Sequence, residues 1–486
     1  MGLIINVTNY NCRIDGRLDH TIVEMLDDNM SYDVSGAHFS SKVQKGQWDG
    51  KRHLFSTGTF SFPTGLLPRV QELFTGIGME FTINDMRRPV TRGTPLACKT
   101  VAWDWQQFII NDCIKDQRGI VKAPTGSGKG QMLIDLLGRL QVLPTVILVH
   151  KRDLVYQIKR DIKTELGIDI GQLGDGIIDI QPITIAMVQT VANAYKVKLT
   201  GFEEKDKTKI TNDKVNSVKT LIETAECLIA DEVHAITAPS YYALQRYFKN
   251  AFYKYGFSAT PYRTDHADIL LEAAFGKRIA EISCSDLIRK GFLAKPDFYL
   301  VKFKHKRAPG ALNYAELYDQ EVVNNENRNY VITKMATKAW QLGKKVLIIV
   351  QMRKHGELLE KMLGITIGKE NVRYVHGDTD TELRQDTLTD LNSGKIRMVI
   401  ATKVYSEGVN IKTLNTLINC KAQDSAVDFV QIIGRAMRKA PGKDRVCIID
   451  IFDEGCRWLA GHSKNRLEVL KQEEEFTIYE IESDKV

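Results

Sequence analysis

The stretch "RGIVKAPTGSGKGQMLIDLL", residues 118–137, decides the fold. It reads as an apolar strand, a glycine-rich turn and an amphipathic helix in direct succession. Backbone N–H groups from Gly126 to Lys129 can wrap a phosphate at the helix N-terminus, where the dipole and the unpaired donors favour anions. The Lys129 ammonium adds a point charge between terminal phosphates, so Thr125, Gly126, Ser127, Gly128, Lys129 and Gly130 are expected to cradle a nucleotide. Two positions depart from the usual loop pattern: Ala123 replaces the first glycine, and Gly130 stands where a Ser or Thr hydroxyl would help to hold Mg²⁺. Mg²⁺ leans on phosphate oxygens and water more than on protein, so the loop is read as working, with a water filling the vacated position.

The same alternation extends outward. From about residue 100 to 300, short Val/Ile/Leu runs such as "TVILVH", "ITIAMV" and "CLIADE" alternate with helix-like stretches. It restarts near residue 330 with "KVLIIVQ", "NVRYVHG", "RMVIAT", "TLINC" and "RVCIIDI". Runs of this kind are how buried parallel strands with crossover helices read, so two tandem α/β units are predicted. Residues 1–94 differ, with short alternating segments broken by turn formers, and are expected to form a separate small α+β domain. The charged segment "KVKLTGFEEKDKTKITNDKVNSVK" at 196–219 reads as an exposed insertion, and the tail "RLEVLKQEEEFTIYEIE" as a helix followed by an edge strand.

Composition narrows the class. The chain of 486 residues, 43% hydrophobic and 26% charged, is long enough for several cores. A net charge of +7 over that length is compatible with a polyanion without requiring one. Eight cysteines lack close paired spacing, which suggests neither a zinc ribbon nor a disulfide framework and fits a reducing, cytoplasmic setting. No apolar run approaches the ~20 residues that span a bilayer, so no membrane partner is expected.

A second carboxylate motif completes the nucleotide site. "AECLIADEVH" is an apolar strand ending in Asp231 and Glu232. Asp231 would hold Mg²⁺ through water and Glu232 would orient and deprotonate the attacking water, the division of labour that phosphoryl transfer to water requires. His234 would link this site to its neighbours.

Three further segments, "YGFSATPYRTD" (255–265), "ATKVYSEGVNI" (401–411) and "QIIGRAMRKA" (431–440), resemble in order and spacing the later motifs of superfamily-two helicases and translocases. Together with the phosphate loop and "DEVH" they cover about 340 residues. The resemblance implies RecA-like units at 95–300 and 301–486, with ATP and Mg²⁺ as cofactors. It implies that Arg435 and Arg438 neutralise charge on the transferring phosphoryl group beside Gln431, that Gly408 and Asn410 contact nucleotide, and that Ser258 and Thr260 couple the two halves. "VAWDWQQFIIND" resembles the motif in which a glutamine, here Gln106, reads adenine, with Trp103 or Trp105 either stacking on the base or packing in the core.

By family position, nucleic acid would be gripped by Lys151, Arg152, Gln189, Thr190, Arg353, His376, Thr402 and Lys403. Such contacts track the phosphate backbone and carry no sequence information. "HFSSKVQKGQWDGKRHLF", with Trp48, Asp49, Gly50, Lys51 and Arg52, is similar to the N-terminal domain of the UvsW-type phage helicases, which implies duplex or junction DNA as partner; a plain surface β-turn is the alternative. The function expected is a DNA-stimulated ATPase that unwinds or branch-migrates forked DNA as a monomer in the cytoplasm. Alternatives are an ATP-gated nucleic-acid binding protein that hydrolyses very slowly, supported by Gly130, and the translocase subunit of a restriction system.

Overall fold

The computed structural model describes residues 2–34, 36–199, 212–233, 238–259, 268–305, 313–402 and 411–486. The chain forms two compact units, Met1–Ala123 with Gly128–Glu281, and Pro124–Ser127 with Ile282–Val486.

The first unit is built on an eight-stranded sheet in the order Ile177–Asp179, Gly171–Gly174, Ile183–Met187, Thr145–Val149, Cys227–Ala230, Tyr253–Ser258, Arg118–Lys122, Arg278–Glu281. Only the first neighbouring pair is antiparallel. Thr145–Val149 and Cys227–Ala230 are buried along their whole length, as helices on both faces of a parallel sheet demand. The Lys129–Leu140 helix turns Met132, Leu133, Leu136, Leu137 and Leu140 inward, which fixes the glycine-rich turn between a buried strand and a buried helix. The carboxyl ends of the parallel strands share one edge, where ligands of such sheets bind.

The N-terminal residues form a four-stranded sheet in the order Ser61–Pro63, Asn11–Asp15, Leu3–Val7, Phe81–Asp85, with the last pair parallel. A two-stranded pair, Ser31–Asp33 with Lys51–His53, lies beside it. This α+β element does not stand apart: its core residues Ile5, Phe62, Leu66 and Phe74 belong to one apolar cluster with Leu148, Leu228, Leu270 and Phe275 of the larger sheet and its helices.

The second unit carries seven strands in the order Val372–Val375, Met398–Ala401, Val346–Ile349, Thr416–Asn419, Arg445–Glu454, Lys295–Lys304, Thr477–Glu482, all parallel. The tail is helix Arg457–Leu470 followed by the edge strand Thr477–Glu482, as the sequence pattern predicts. A boundary at 300/301 falls inside Lys295–Lys304, and the second unit instead begins at Ile282. That strand pairs with Arg445–Glu454, so its membership is fixed by residues about 150 positions away. Of the charged segment 196–219, residues 200–211 lie outside the described residues, and Asn212–Thr224 is a helix. None of the eight cysteines is in a disulfide, and among the described residues no helix is long and apolar enough to cross a membrane.

Candidate active site and nucleic-acid interface

The turn after Arg118–Lys122 takes two left-handed glycines, Gly126 at φ +93° and Gly128 at φ +77°. A Cβ at Gly128 would sit 2.6 Å from Gln106 Nε2, so backbone and glutamine approach as closely as only glycine allows. Lys129 is buried; its Nζ donates to Ala123 O at 3.2 Å and lies 3.4 Å from Glu232 Oε1. The ammonium is thus poised between the loop and the carboxylate that follows Cys227–Ala230.

Asp231 continues that strand, its N–H bonded to Leu148 O at 3.0 Å, and its Oδ1 accepts from the Glu232 N–H at 2.9 Å. Glu232 has φ +51°, a left-handed backbone rare for a non-glycine residue. Burial, with the Glu232 charge beside it, pushes the Asp231 carboxyl up to about 7, against the pull of Lys129. A buried carboxylate held so high wants a cation, which fits Mg²⁺. Among the described residues no group of three His, Cys, Asp or Glu could cage a metal, so an ion here would take its remaining ligands from phosphate oxygens and water. Gly130 is exposed, has an ordinary helical backbone, and a Cβ there would meet nothing within 4 Å.

Gln106 is buried on helix Asp104–Asp116, and its Oε1 accepts from the Trp103 N–H at 3.0 Å, which aims the amide nitrogen at Gly128. Trp103 and Trp105 stack with centroids 6.0 Å apart, and Trp103 is half exposed. Ser258 is buried at the end of its strand, its carbonyl accepting from the Ala123 N–H at 2.8 Å, which ties it to the base of the loop.

In the second unit, Gln431 and Arg435 lie on helix Ala426–Ala436, with Arg438 just beyond its end. Burial pulls the Arg438 guanidinium below its ordinary value. Within this unit Gly434 abuts Thr125: a Cβ there would come within 2.7 Å of the threonine Cβ, and one on Gly126 within 3.7 Å of Arg438 Cγ. No local sequence signal marks Gly434 as a contact of the loop. His234, Thr260, Lys403, Gly408 and Asn410 lie outside the described residues.

The residues assigned to nucleic acid follow strand ends. Lys151 and Arg152 begin helix Arg152–Leu166 after Thr145–Val149, and Arg152 lies 3.8 Å from Asp175. Gln189 and Thr190 are buried on helix Val188–Ala194; Gln189 Nε2 donates to His150 O at 3.1 Å, while its Oε1 is buried with no partner among the described residues. In the second unit Arg353 pairs with Asp378, the His376 N–H donates to Thr379 Oγ1 at 2.9 Å, and the Thr402 N–H to Val375 O at 3.2 Å. Arg353 is therefore engaged by a carboxylate that the sequence does not pair with it.

In the N-terminal domain, Asp49 accepts from the Lys51 N–H at 3.0 Å, Trp48 Nε1 donates to Lys51 O at 2.7 Å, and Gly50 is left-handed. Trp48 to Gly50 thus form a turn that leads into strand Lys51–His53, with Arg52 exposed and Lys51 Nζ 3.5 Å from Asp28.

Three family models match the chain in order: "DNA helicase UvsW, N-terminal" over residues 7–84, "Type III restriction enzyme, res subunit" over 99–263 and "Helicase conserved C-terminal domain" over 329–440. The chain is a superfamily-two helicase of the UvsW type. The helicase is 22% identical over 481 residues to the ATP-dependent DNA helicase uvsW of Enterobacteria phage T4, spanning 88% of this chain and 86% of that protein. It is 25% identical over 393 residues to the DNA 3'-5' translocase XPB2 of Sulfurisphaera tokodaii, spanning 72% and 81%. Its fold is shared with the fragment structure of a putative HsdR subunit of a type I restriction enzyme from Vibrio vulnificus, at 17% identity and TM-score 0.55, over 78% of this chain and 69% of that one. Its catalytic class is that of an ATP-hydrolysing DNA helicase.

Proposed function

We propose that this helicase uses ATP and Mg²⁺ to translocate on DNA as a monomer and to remodel forked or junction DNA, in the cytoplasm. The carrying observation is the Lys129–Glu232 approach of 3.4 Å beside the buried Asp231. Mg²⁺, when held by Asp231 and the nucleotide, would neutralise charge on the phosphates. An arriving triphosphate competes for Lys129 and draws it from Glu232. The freed Glu232 carboxylate then accepts a proton from the attacking water, while Asp231 is held in place by its bond to the Glu232 N–H. Gln106 reads adenine with the amide group that faces Gly128. Arg435 and Arg438 supply charge to the phosphoryl group, a role worth ~10³ or more in turnover. Ser258, Thr260 and His234 relay the nucleotide state, and Gly408 and Asn410 add nucleotide contacts.

Lys151, Arg152, Gln189, Thr190, Arg353, His376, Thr402 and Lys403 would hold the strand by its backbone, which makes binding steeply salt-dependent. Lys51 and Arg52 would add duplex or junction contacts. The test is steady-state ATP hydrolysis with Mg²⁺ and no nucleic acid, single-stranded DNA, branched DNA or RNA. Strong stimulation by branched DNA supports the remodelling motor. ATP binding without turnover on any of them overturns it in favour of the gated binding protein, for which Gly130 is the specific observation. The restriction-subunit likeness fits a translocase in such a system, but the UvsW N-terminal match favours the first reading.

A further inference from the structure

The N-terminal domain carries a feature that phosphate gripping leaves unused. Phe39 is 79% exposed, at the end of the short 3-10 turn Ala37–Phe39, with the His38 ring 4.0 Å away. Lys42 and Lys45 follow it, both exposed and with no carboxylate partner among the described residues, and Arg52 is exposed in the adjoining strand. An aromatic ring in water, followed along the chain by two exposed lysines, is chemically suited to one occupant: a nucleic-acid strand whose phosphates meet the lysines while a base meets the ring.

The scaffold beneath is stiff. Gly50, at φ +84°, lies under the turn, where a Cβ would sit 3.4 Å from the Ala37 Cβ and 3.9 Å from Val43 Cγ2. The Ala37 N–H donates to Val34 O, whose own N–H donates to Gly50 O, both at 2.9 Å. Ser40 caps helix Ser41–Gln44. The Trp48–Asp49–Gly50 turn is therefore the floor on which Phe39 is presented.

The domain is also fixed to the first helicase sheet. A Cβ at Gly65 would meet Glu272 O at 2.0 Å and Ala273 O at 2.7 Å, Arg69 pairs with Glu272 at 2.5 Å, and Arg118 Nη2 donates to Asn9 O at 3.0 Å.

We propose that Phe39 is a strand-separating wedge, which stacks on the terminal base pair of a DNA fork while Lys42 and Lys45 hold the flanking phosphates. Inserted apolar side chains unstack base steps in this way elsewhere. The wedge rests on the DNA-remodelling reading above and adds the element that splits the duplex.

The test uses the full chain on a forked duplex carrying 2-aminopurine in its first base pair, and measures base pairs opened per ATP hydrolysed. Phe39→Ala is expected to lower that ratio about tenfold and to abolish the 2-aminopurine fluorescence rise on binding, whereas Phe39→Tyr restores both, since stacking on one aromatic is worth 5- to 150-fold in affinity. Phe39→Ala should leave the salt slope of fork binding as it is, while Lys42→Ala with Lys45→Ala should reduce it by about 2. A Phe39→Ala variant that opens as many base pairs per ATP as wild type, with the same fluorescence rise, overturns the wedge. Wild-type protein without DNA-stimulated hydrolysis would instead refute the motor reading itself.

Discussion

Replacing Gly130 with serine tests the reading of the phosphate loop at its one unusual position. A Cβ at Gly130 meets nothing within 4 Å and the residue is exposed in the first turn of helix Lys129–Leu140, so the side chain enters without displacing anything. Serine is better than glycine in a helix by about 0.5 kcal/mol, so the variant should melt no lower than wild type and about 1–2 °C higher. If the hydroxyl replaces a water on the metal, a gain of about 1 kcal/mol lowers the Mg²⁺ concentration for half-maximal hydrolysis about fivefold. The assay is DNA-stimulated ATP hydrolysis across a Mg²⁺ titration, with a thermal melt as fold control. Turnover should equal or exceed wild type. A large loss of turnover with an unchanged melt would show a loop shaped around glycine, and an unchanged Mg²⁺ requirement would show that the position does not face the metal.

Lys129→Ala, Glu232→Gln and Arg438→Ala should each abolish DNA-stimulated hydrolysis, by ~10³-fold or more, with circular dichroism unchanged; near-normal turnover in Glu232→Gln would remove it as the base. Because burial raises the Asp231 carboxyl to about 7, above its unfolded value, the nucleotide-free protein should lose stability as pH rises from about 4 to 7, by at most about 1.4 kcal/mol per unit, read by denaturant melts. The same protonation competes with the metal, so the Mg²⁺ requirement of hydrolysis should rise between pH 8 and 6. Gly65→Ala forces a Cβ onto the Glu272 and Ala273 carbonyls and should destabilise the first unit by about 1–3 kcal/mol in the same melts.

What the sequence reveals here is what is local. The strand-turn-helix at 118–137 carries its apolar period, its glycines and its lysine within twenty residues, and the structure has Arg118–Lys122, the two left-handed glycines and Lys129–Leu140 in that order. "KPDFYLVKFK" at 295–304 is different: Lys295, Asp297, Lys302 and Lys304 blur its apolar run, and its place in the second sheet depends on Arg445–Glu454. Gly65 carries no mark of its role, because the carbonyls it accommodates are some two hundred residues away. The left-handed backbone of Glu232 is likewise invisible, since glutamate rarely adopts it and no turn-forming residue in the run marks it.

The attachment of the N-terminal domain bears on how force could reach a DNA fork. Its ion pair, Arg69 with Glu272, is partly exposed, and pairs of that kind contribute only about 0–1 kcal/mol. The apolar contribution is larger: Phe62, Leu66 and Phe74 are almost fully buried in the core that also holds Leu270 and Phe275, at about 1.5–3 kcal/mol for each large side chain. Domains joined by small polar interfaces swing by default, whereas a shared apolar core with backbone contact at Gly65 resists relative motion. The first helicase sheet and the Phe39 turn should therefore move as one body, so a step of the motor would be delivered to the fork without slack.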